Sequence, residues 1–81
     1  MNDDSRYAQV ISLLQEIAPE VEPEELVRDQ PLRRQVDLDS MDWLNFLIGL
    51  HRAFGVDIPE SDYGRLVTLD DVVGYLRRKA G

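Results

Sequence analysis

The segment Asp37-Leu38-Asp39-Ser40-Met41-Asp42-Trp43-Leu44 joins an acidic loop to the most apolar part of the chain. Apolar residues dominate positions 40–54, which contain no proline and one glycine, and Gly55 follows them. Glycine commonly occupies the position that ends a helix. The pattern therefore predicts one helix of about four turns over residues 40–54.

Ser40 begins this predicted helix, and two roles are open to it. The first amides of a helix lack intrahelical acceptors, so Ser40 can be an N-cap. A helix N-terminus also favours phosphate, so Ser40 can instead be the attachment point of a phosphate-linked group. Asp39 and Asp42 lie where the helix dipole favours negative charge. Spacing alone does not decide between the two roles.

The length, charge and residue content of the chain exclude several classes of function. The chain has 81 residues, enough for a single domain over 1–81, and a formal net charge of −7. This charge argues against nucleic-acid binding and favours basic protein partners. With no cysteine and one histidine, a metal site is not expected. No apolar run is long enough to span a membrane, and the polar N-terminus does not resemble a signal peptide, so we expect a cytoplasmic protein.

The rest of the chain predicts further helices and no strand. An apolar stripe runs from Tyr7 to Ala18, a helical turn with Leu26 and Val27 follows Pro23, a short helix spans 59–65, and a last helix starts after Thr68. Four apolar residues of the long connector are expected to reach the core: Leu26, Leu32, Val36 and Leu38. We therefore expect an all-α four-helix bundle, with three main helices, a short third helix and a long loop between helices 1 and 2.

The predicted helix over 40–54 has two apolar faces. At 100° per residue, a broad core face contains Trp43, Phe46, Leu47, Leu50, Ala53 and Phe54. Met41, Leu44 and Ile48 form a second face, rimmed by Asn45, His51 and Arg52. The second face is either a partner surface or is covered by the long connector, and both alternatives remain open.

Three segments together resemble the acyl carrier protein family. Asp39-Ser40-Met41-Asp42 is similar to that family's Asp-Ser-Leu-Asp attachment motif. The Phe54-Gly55-Val56-Asp57-Ile58-Pro59 segment and the Thr68-Leu69-Asp70-Asp71 helix start also match, so the resemblance covers nearly the whole chain.

The resemblance implies a carrier rather than an enzyme. A phosphopantetheinyl transferase would attach 4′-phosphopantetheine from coenzyme A to Ser40, and the thiol of this arm would hold a cargo as a thioester. Other implied partners are an acyl- or aminoacyl-loading ligase and downstream transferases, and we expect a monomer. Covalent tethering raises the effective concentration of the cargo at each enzyme. The implied docking residues are Asp39, Met41, Asp42, Leu44 and Ile48.

The sequence departs from the family pattern in three places. Asp37 replaces a usual glycine, and Asn45, His51 and Arg52 stand where carriers of fatty acid synthesis have glutamates. The cargo pocket implied by the resemblance is lined by Leu32, Trp43, Leu47, Leu50, Tyr63 and Leu66. Because two of these are bulky aromatics, we expect a short or polar cargo.

We therefore expect a free-standing carrier of a specialised pathway rather than of bulk fatty acid synthesis. Two alternatives remain open. One is a carrier of an aminoacyl, peptidyl or other non-fatty cargo. The other is a helical adaptor that carries nothing, in which Ser40 is a plain N-cap.

Overall fold

The computed structural model describes residues 3–80, and its regular elements are helices joined by connecting segments. The elements are α1 (Asp3–Ile17), a 3₁₀ turn (Pro23–Glu25), α2 (Leu32–Gln35), α3 (Ser40–Phe54), a 3₁₀ helix (Glu60–Arg65) and α4 (Leu69–Ala80). Within residues 3–80 the extended pairing is one isolated bridge, between Pro31 and Thr68. The predicted all-α class, with three main helices and a short helix before the last, is confirmed.

The main helices enclose a hydrophobic core. α1 packs against both α3 and α4. The fully enclosed members come from the three main helices, from the connector and from the segment before α4: Val10, Leu14, Leu32, Phe46, Leu47, Leu50, Leu66, Leu69, Val72, Val73 and Leu76. Ala53 was placed on the core face of α3 by helical rotation, but it is exposed, and that assignment was wrong. Ala53 lies at one edge of the predicted arc, where a small change in helix orientation exposes the side chain.

The connector between α1 and α3 contains two helical turns that the sequence did not place correctly. The turn after Pro23 ends at Glu25, so Leu26 and Val27 lie beyond it. Residues 32–35 were expected to be loop, but they form the single turn α2. One turn is too short to produce a helical periodicity, which is why the pattern missed it.

Backbone hydrogen bonds fasten this connector to the segment before α4. The Leu32 amide donates to the Val67 carbonyl at 2.9 Å, and the Asp70 amide donates to the Arg28 carbonyl at 3.0 Å. Leu32, Val36 and Leu38 are buried as predicted, whereas Leu26 is half-buried. The connector is therefore an ordered part of the fold that delivers the chain to the start of α3.

The Gln35 side chain also orders the connector. Its Oε1 accepts from the Val27 amide at 2.7 Å, and its Nε2 donates to the carbonyls of Val27 and Gln30, both at 2.9 Å. These bonds satisfy backbone amide and carbonyl groups that lie outside regular secondary structure. The sequence gives no local signal for this role, because the partners lie five and eight residues away.

A reciprocal cap begins α4, as the sequence predicted. Thr68 Oγ1 accepts from the Asp71 amide at 3.0 Å, and Asp71 Oδ2 accepts from the Thr68 amide at 3.1 Å. Farther along α4, the Tyr75 hydroxyl donates to Asp62 Oδ2 at 2.7 Å. That bond ties the 3₁₀ helix to α4 and so holds the neighbouring Tyr63 beside α3. Burial of the ring, together with the bond to Asp62, raises the pKa of Tyr75 from 10.0 to about 12.

Candidate functional site

Asp39 and Ser40 occupy different positions at the start of α3. Asp39 is the N-cap, with extended backbone angles, and its Oδ1 accepts from the Asp42 amide at 2.8 Å. Ser40 is the first residue inside the helix. The cap role that was open to Ser40 is therefore filled by its neighbour, and the interpretation of Ser40 as a plain N-cap was wrong.

The Ser40 side chain is left available to solvent. Ser40 is exposed, and among residues 3–80 its hydroxyl has no hydrogen-bond partner. The amides of Ser40 and Met41 belong to the first turn, where no intrahelical acceptor exists. An accessible hydroxyl beside two free N–H groups and the positive end of a helix dipole fits a phosphate ester on Ser40 Oγ.

Three large apolar side chains are exposed along one face of α3. Met41 is 67% exposed, Ile48 is 45% exposed and Leu44 is 41% exposed. We call these three residues the α3 patch. The connector does not cover it, so the alternative in which the loop buries this face is wrong. A contiguous apolar patch of this kind commonly marks a binding surface.

The polar residues around the α3 patch are unevenly charged. Asp42 lies at its N-terminal end, where it is half-buried, and Arg52 is exposed at its C-terminal end. His51 Nδ1 lies 2.8 Å from the Val56 carbonyl oxygen, so this imidazole fastens the turn that follows α3. Gly55 makes that turn possible, because its φ of 64° is in the left-handed region.

A groove of 180 Å³ opens beside the first turn of α3. Its lining consists of Pro31, Arg33, Trp43, Tyr63, Gly64, Leu66 and Val67. Of the six residues predicted to line a cargo pocket, Trp43, Tyr63 and Leu66 are in this wall. Leu32, Leu47 and Leu50 lie in the closed core, each 2% exposed or less. Sequence reasoning missed Arg33, which the short helix α2 brings to the groove.

Two larger clefts lie elsewhere. One, of 550 Å³, is walled by acidic residues of the connector, including Glu20, Glu22, Glu25 and Asp37, and the other, of 400 Å³, lies against α1. Neither is lined by a residue of α3. The groove is the smallest of the three, but Trp43 places it within one helical turn of Ser40, so it is the cavity best placed to receive a group attached there.

Within residues 3–80, no group of histidine and carboxylate side chains could hold a metal ion. The helices described there are too short or too polar to cross a lipid bilayer.

Comparison with known proteins agrees with this geometry. The family model described as "Phosphopantetheine attachment site" matches residues 8–76. An acyl carrier protein of Thermosynechococcus vestitus is 30% identical over 59 residues, which is 73% of each chain. A meromycolate extension acyl carrier protein of Mycolicibacterium smegmatis is 32% identical over 73 residues, covering 86% of this chain and 74% of that one. The acyl carrier protein of Lactobacillus acidophilus is 27% identical over 62 residues, covering 76% and 78%.

The fold and the family match define a small carrier with a phosphopantetheine attachment site. This chain belongs to the acyl carrier protein family. It is therefore not an enzyme, and its prosthetic group is covalently bound 4′-phosphopantetheine. Its partners include a phosphopantetheinyl transferase, which installs that group, and enzymes that handle acyl groups.

Proposed function

We propose that Ser40 Oγ carries the 4′-phosphopantetheine arm and that the protein presents a short or polar acyl thioester to the enzymes of a specialised pathway. One observation supports the attachment point above all others. The Ser40 hydroxyl is exposed and unpartnered among residues 3–80, because Asp39 already caps the helix.

In the attachment of the arm, this chain supplies the attacking hydroxyl and holds it in position. The Ser40 oxygen forms a phosphate ester and gives up its proton, and the nucleotide part of coenzyme A leaves. The helix dipole and the free amides of the first turn favour the phosphate, and the Asp39 cap keeps that turn in place. When bound, the arm supplies a terminal thiol that holds the cargo as a thioester. Tethering then replaces diffusion, which raises the effective concentration of the cargo at each partner.

The α3 patch is the proposed docking surface for the transferase and for the acyl-handling enzymes. Met41, Leu44 and Ile48 supply its apolar contacts, while Asp39 and Asp42 orient the partner at the helix start. Residues of this kind, apolar at the centre with a polar rim, are typical of transient interfaces.

The charge around the patch supports a specialised pathway. Asn45, His51 and Arg52 are exposed along α3, where a partner selected for an acidic helix would meet neutral or positive groups. Like charges at an interface select against the wrong partner. Two of the relatives are named for one particular process, meromycolate extension, and others are named simply acyl carrier protein, so the names of relatives do not identify the pathway.

The groove supports a small cargo. Its 180 Å³ is about the volume that six water molecules occupy in the liquid. Two bulky aromatic side chains, Trp43 and Tyr63, are in its lining. An aminoacyl or other non-fatty cargo is compatible with the same dimensions and remains the second candidate. The adaptor alternative assigned Ser40 as a plain N-cap, a position that Asp39 occupies in the structure.

The absence of cysteine from the sequence provides a simple test. After treatment with coenzyme A and a broad-specificity transferase and removal of free coenzyme A and the transferase, any protein-bound thiol must belong to the arm. We expect one titratable thiol per chain, and none in the Ser40→Ala variant. Equal thiol content in the two proteins would refute Ser40 as the attachment point, and no thiol in either would favour the adaptor.

A further inference from the structure

The groove beside α3 differs in charge from the rest of the molecule. The chain contains 16 acidic and nine basic residues, and its net charge is −7. Yet the lining of the groove includes one cation, Arg33, and no carboxylate. A cavity of this polarity in an acidic protein attracts cations less and anions more than its surroundings do.

Among residues 3–80, Arg33 forms no ion pair. The two ion pairs described within residues 3–80 both use Asp3, so neither involves Arg33. Its Nη2 lies 3.5 Å from the Leu38 carbonyl oxygen, at the long limit of a hydrogen bond. Its guanidinium carbon lies 5.9 Å from the centre of the Trp43 ring, within cation–π range. The guanidinium is therefore held near α3 with most of its donors unused.

Tyr63, also in the lining of the groove, adds a second potential donor. Its hydroxyl has no hydrogen-bond partner among residues 3–80, whereas Asp62, its neighbour, is occupied by Tyr75. The rest of the lining is largely apolar and includes Trp43, Leu66 and Pro31. The groove therefore combines apolar surface with two polar donors.

We propose that this groove selects a short acyl cargo that ends in a free carboxylate, the half-thioester of a small dicarboxylic acid. The apolar surface contacts the methylene groups, and Arg33 binds the carboxylate. Guanidinium and carboxylate can form two parallel charge-assisted hydrogen bonds, a geometry that a neutral chain end cannot use. This inference rests on the proposed attachment of the arm to Ser40.

The test compares two cargoes of equal length. A broad-specificity transferase loads the protein from amide-linked coenzyme A analogues that carry either a succinyl or a butyryl group and do not hydrolyse on heating. Intact mass confirms each product. The thermal midpoint and the emission of Trp43, the single tryptophan of the chain, are then measured at low salt. We expect the succinyl form to melt higher than the butyryl form by about 4 °C.

Matched variants on the same helix locate the effect. Arg33→Gln removes the charge in the groove, and Arg34→Gln removes that of an exposed neighbour outside its lining. The difference between succinyl and butyryl forms should vanish in Arg33→Gln and persist in Arg34→Gln. The change in Trp43 emission between the two cargoes should follow the same pattern.

Several outcomes would overturn the inference. Equal midpoints for the two cargoes, or a difference that survives Arg33→Gln, would remove the role of Arg33 in binding a carboxylate. If Arg33→Gln changes the arm-bearing form without cargo as much as the succinyl form, the anion bound by Arg33 is the phosphodiester of the arm. A failure of the proposed function would show in the intact masses after transferase treatment. Either Ser40→Ala would gain the mass of the arm as the wild type does, or neither protein would gain mass.

Discussion

The first turn of α3 divides two tasks between adjacent residues. Asp39 satisfies an amide of the helix, through its 2.8 Å bond from Asp42, and Ser40 keeps its hydroxyl available. An attachment serine that also capped the helix would become a weaker acceptor when its oxygen is esterified. With the cap on the preceding residue, the capping hydrogen bond does not involve Ser40 Oγ.

The division of tasks predicts different stability effects for two substitutions. Asp39→Ala removes the N-cap and should lower the free energy of unfolding by about 1 kcal/mol. Ser40→Ala should change it by less than about 0.5 kcal/mol, since it removes no described hydrogen bond. Urea denaturation of the unmodified proteins measures both, with Asp37→Ala as the control for loss of an exposed acidic residue nearby. A larger loss in Ser40→Ala than in Asp39→Ala would contradict the assignment of the cap.

The raised pKa of Tyr75 leads us to predict that the protein loses stability at alkaline pH. Burial, and then the hydrogen bond to Asp62, raise the pKa of Tyr75 from 10.0 to about 12. Between these values the unfolded chain has released the phenol proton and the folded chain retains it. Rising pH therefore favours unfolding. The contribution that Tyr75 makes to stability below pH 10 is lost as the pH approaches 12.

The Tyr75→Phe variant isolates this contribution. It should be less stable than the wild type at pH 8, because the bond to Asp62 is lost, but its stability should fall less steeply between pH 10 and 12. A hydrogen bond to Asp70 also raises the pKa of Tyr7, so some alkaline dependence should persist. Chemical denaturation at several pH values measures both slopes, and identical slopes would show that Tyr75 titrates normally.

Individual residues differed in how well the sequence predicted them. Ser40 was predicted as the attachment point only through the resemblance of Asp39-Ser40-Met41-Asp42 to a family motif, because the local pattern left its role open. The choice of cap could not be made, because Asp39 and Ser40 are both good capping residues at adjacent positions. Arg33 and Gln35 were missed because their roles depend on chain segments that only the folded connector brings together.

At the scale of single elements, α3 combines a buried face with an exposed one. Phe46, Leu47 and Leu50 are enclosed, while Leu44 and Ile48, on the other side of the same turns, are more than 40% exposed. Both the bounds of α3 and this separation into faces were predicted, because fifteen residues are long enough for a helical period to be visible. The single turn α2 gives no such period, and its existence depends on the bonds that fasten the connector.

The exposed face of α3 yields a prediction about partner recognition. Ile48→Gln removes an apolar contact of the α3 patch and should lower kcat/KM for modification by the transferase by about tenfold. Ala53→Gln alters an exposed position of the same helix outside the patch and should leave that value nearly unchanged. Circular dichroism melting checks that both variants fold. Equal losses in the two variants would place the docking surface elsewhere.

Across the whole molecule, the helices and the connector place one accessible serine, one apolar patch and one groove around the start of α3. The connector is fastened at Leu32 and Arg28, so the groove wall that it supplies is part of the folded structure. The helical architecture could be predicted, because each main helix has its own period, cap and end signal. The groove depends on how the connector packs, which no local pattern encodes.

The attachment of the arm to Ser40 is the claim on which the rest depends, and peptide mapping tests it most directly. The protein is treated with coenzyme A and a broad-specificity transferase, digested, and analysed by tandem mass spectrometry. The chain offers four serines, at positions 5, 12, 40 and 61. We predict one phosphopantetheinyl group, on the peptide that contains Ser40, and no modified peptide from Ser40→Ala. A group on another serine, or an unmodified wild type, would contradict the account.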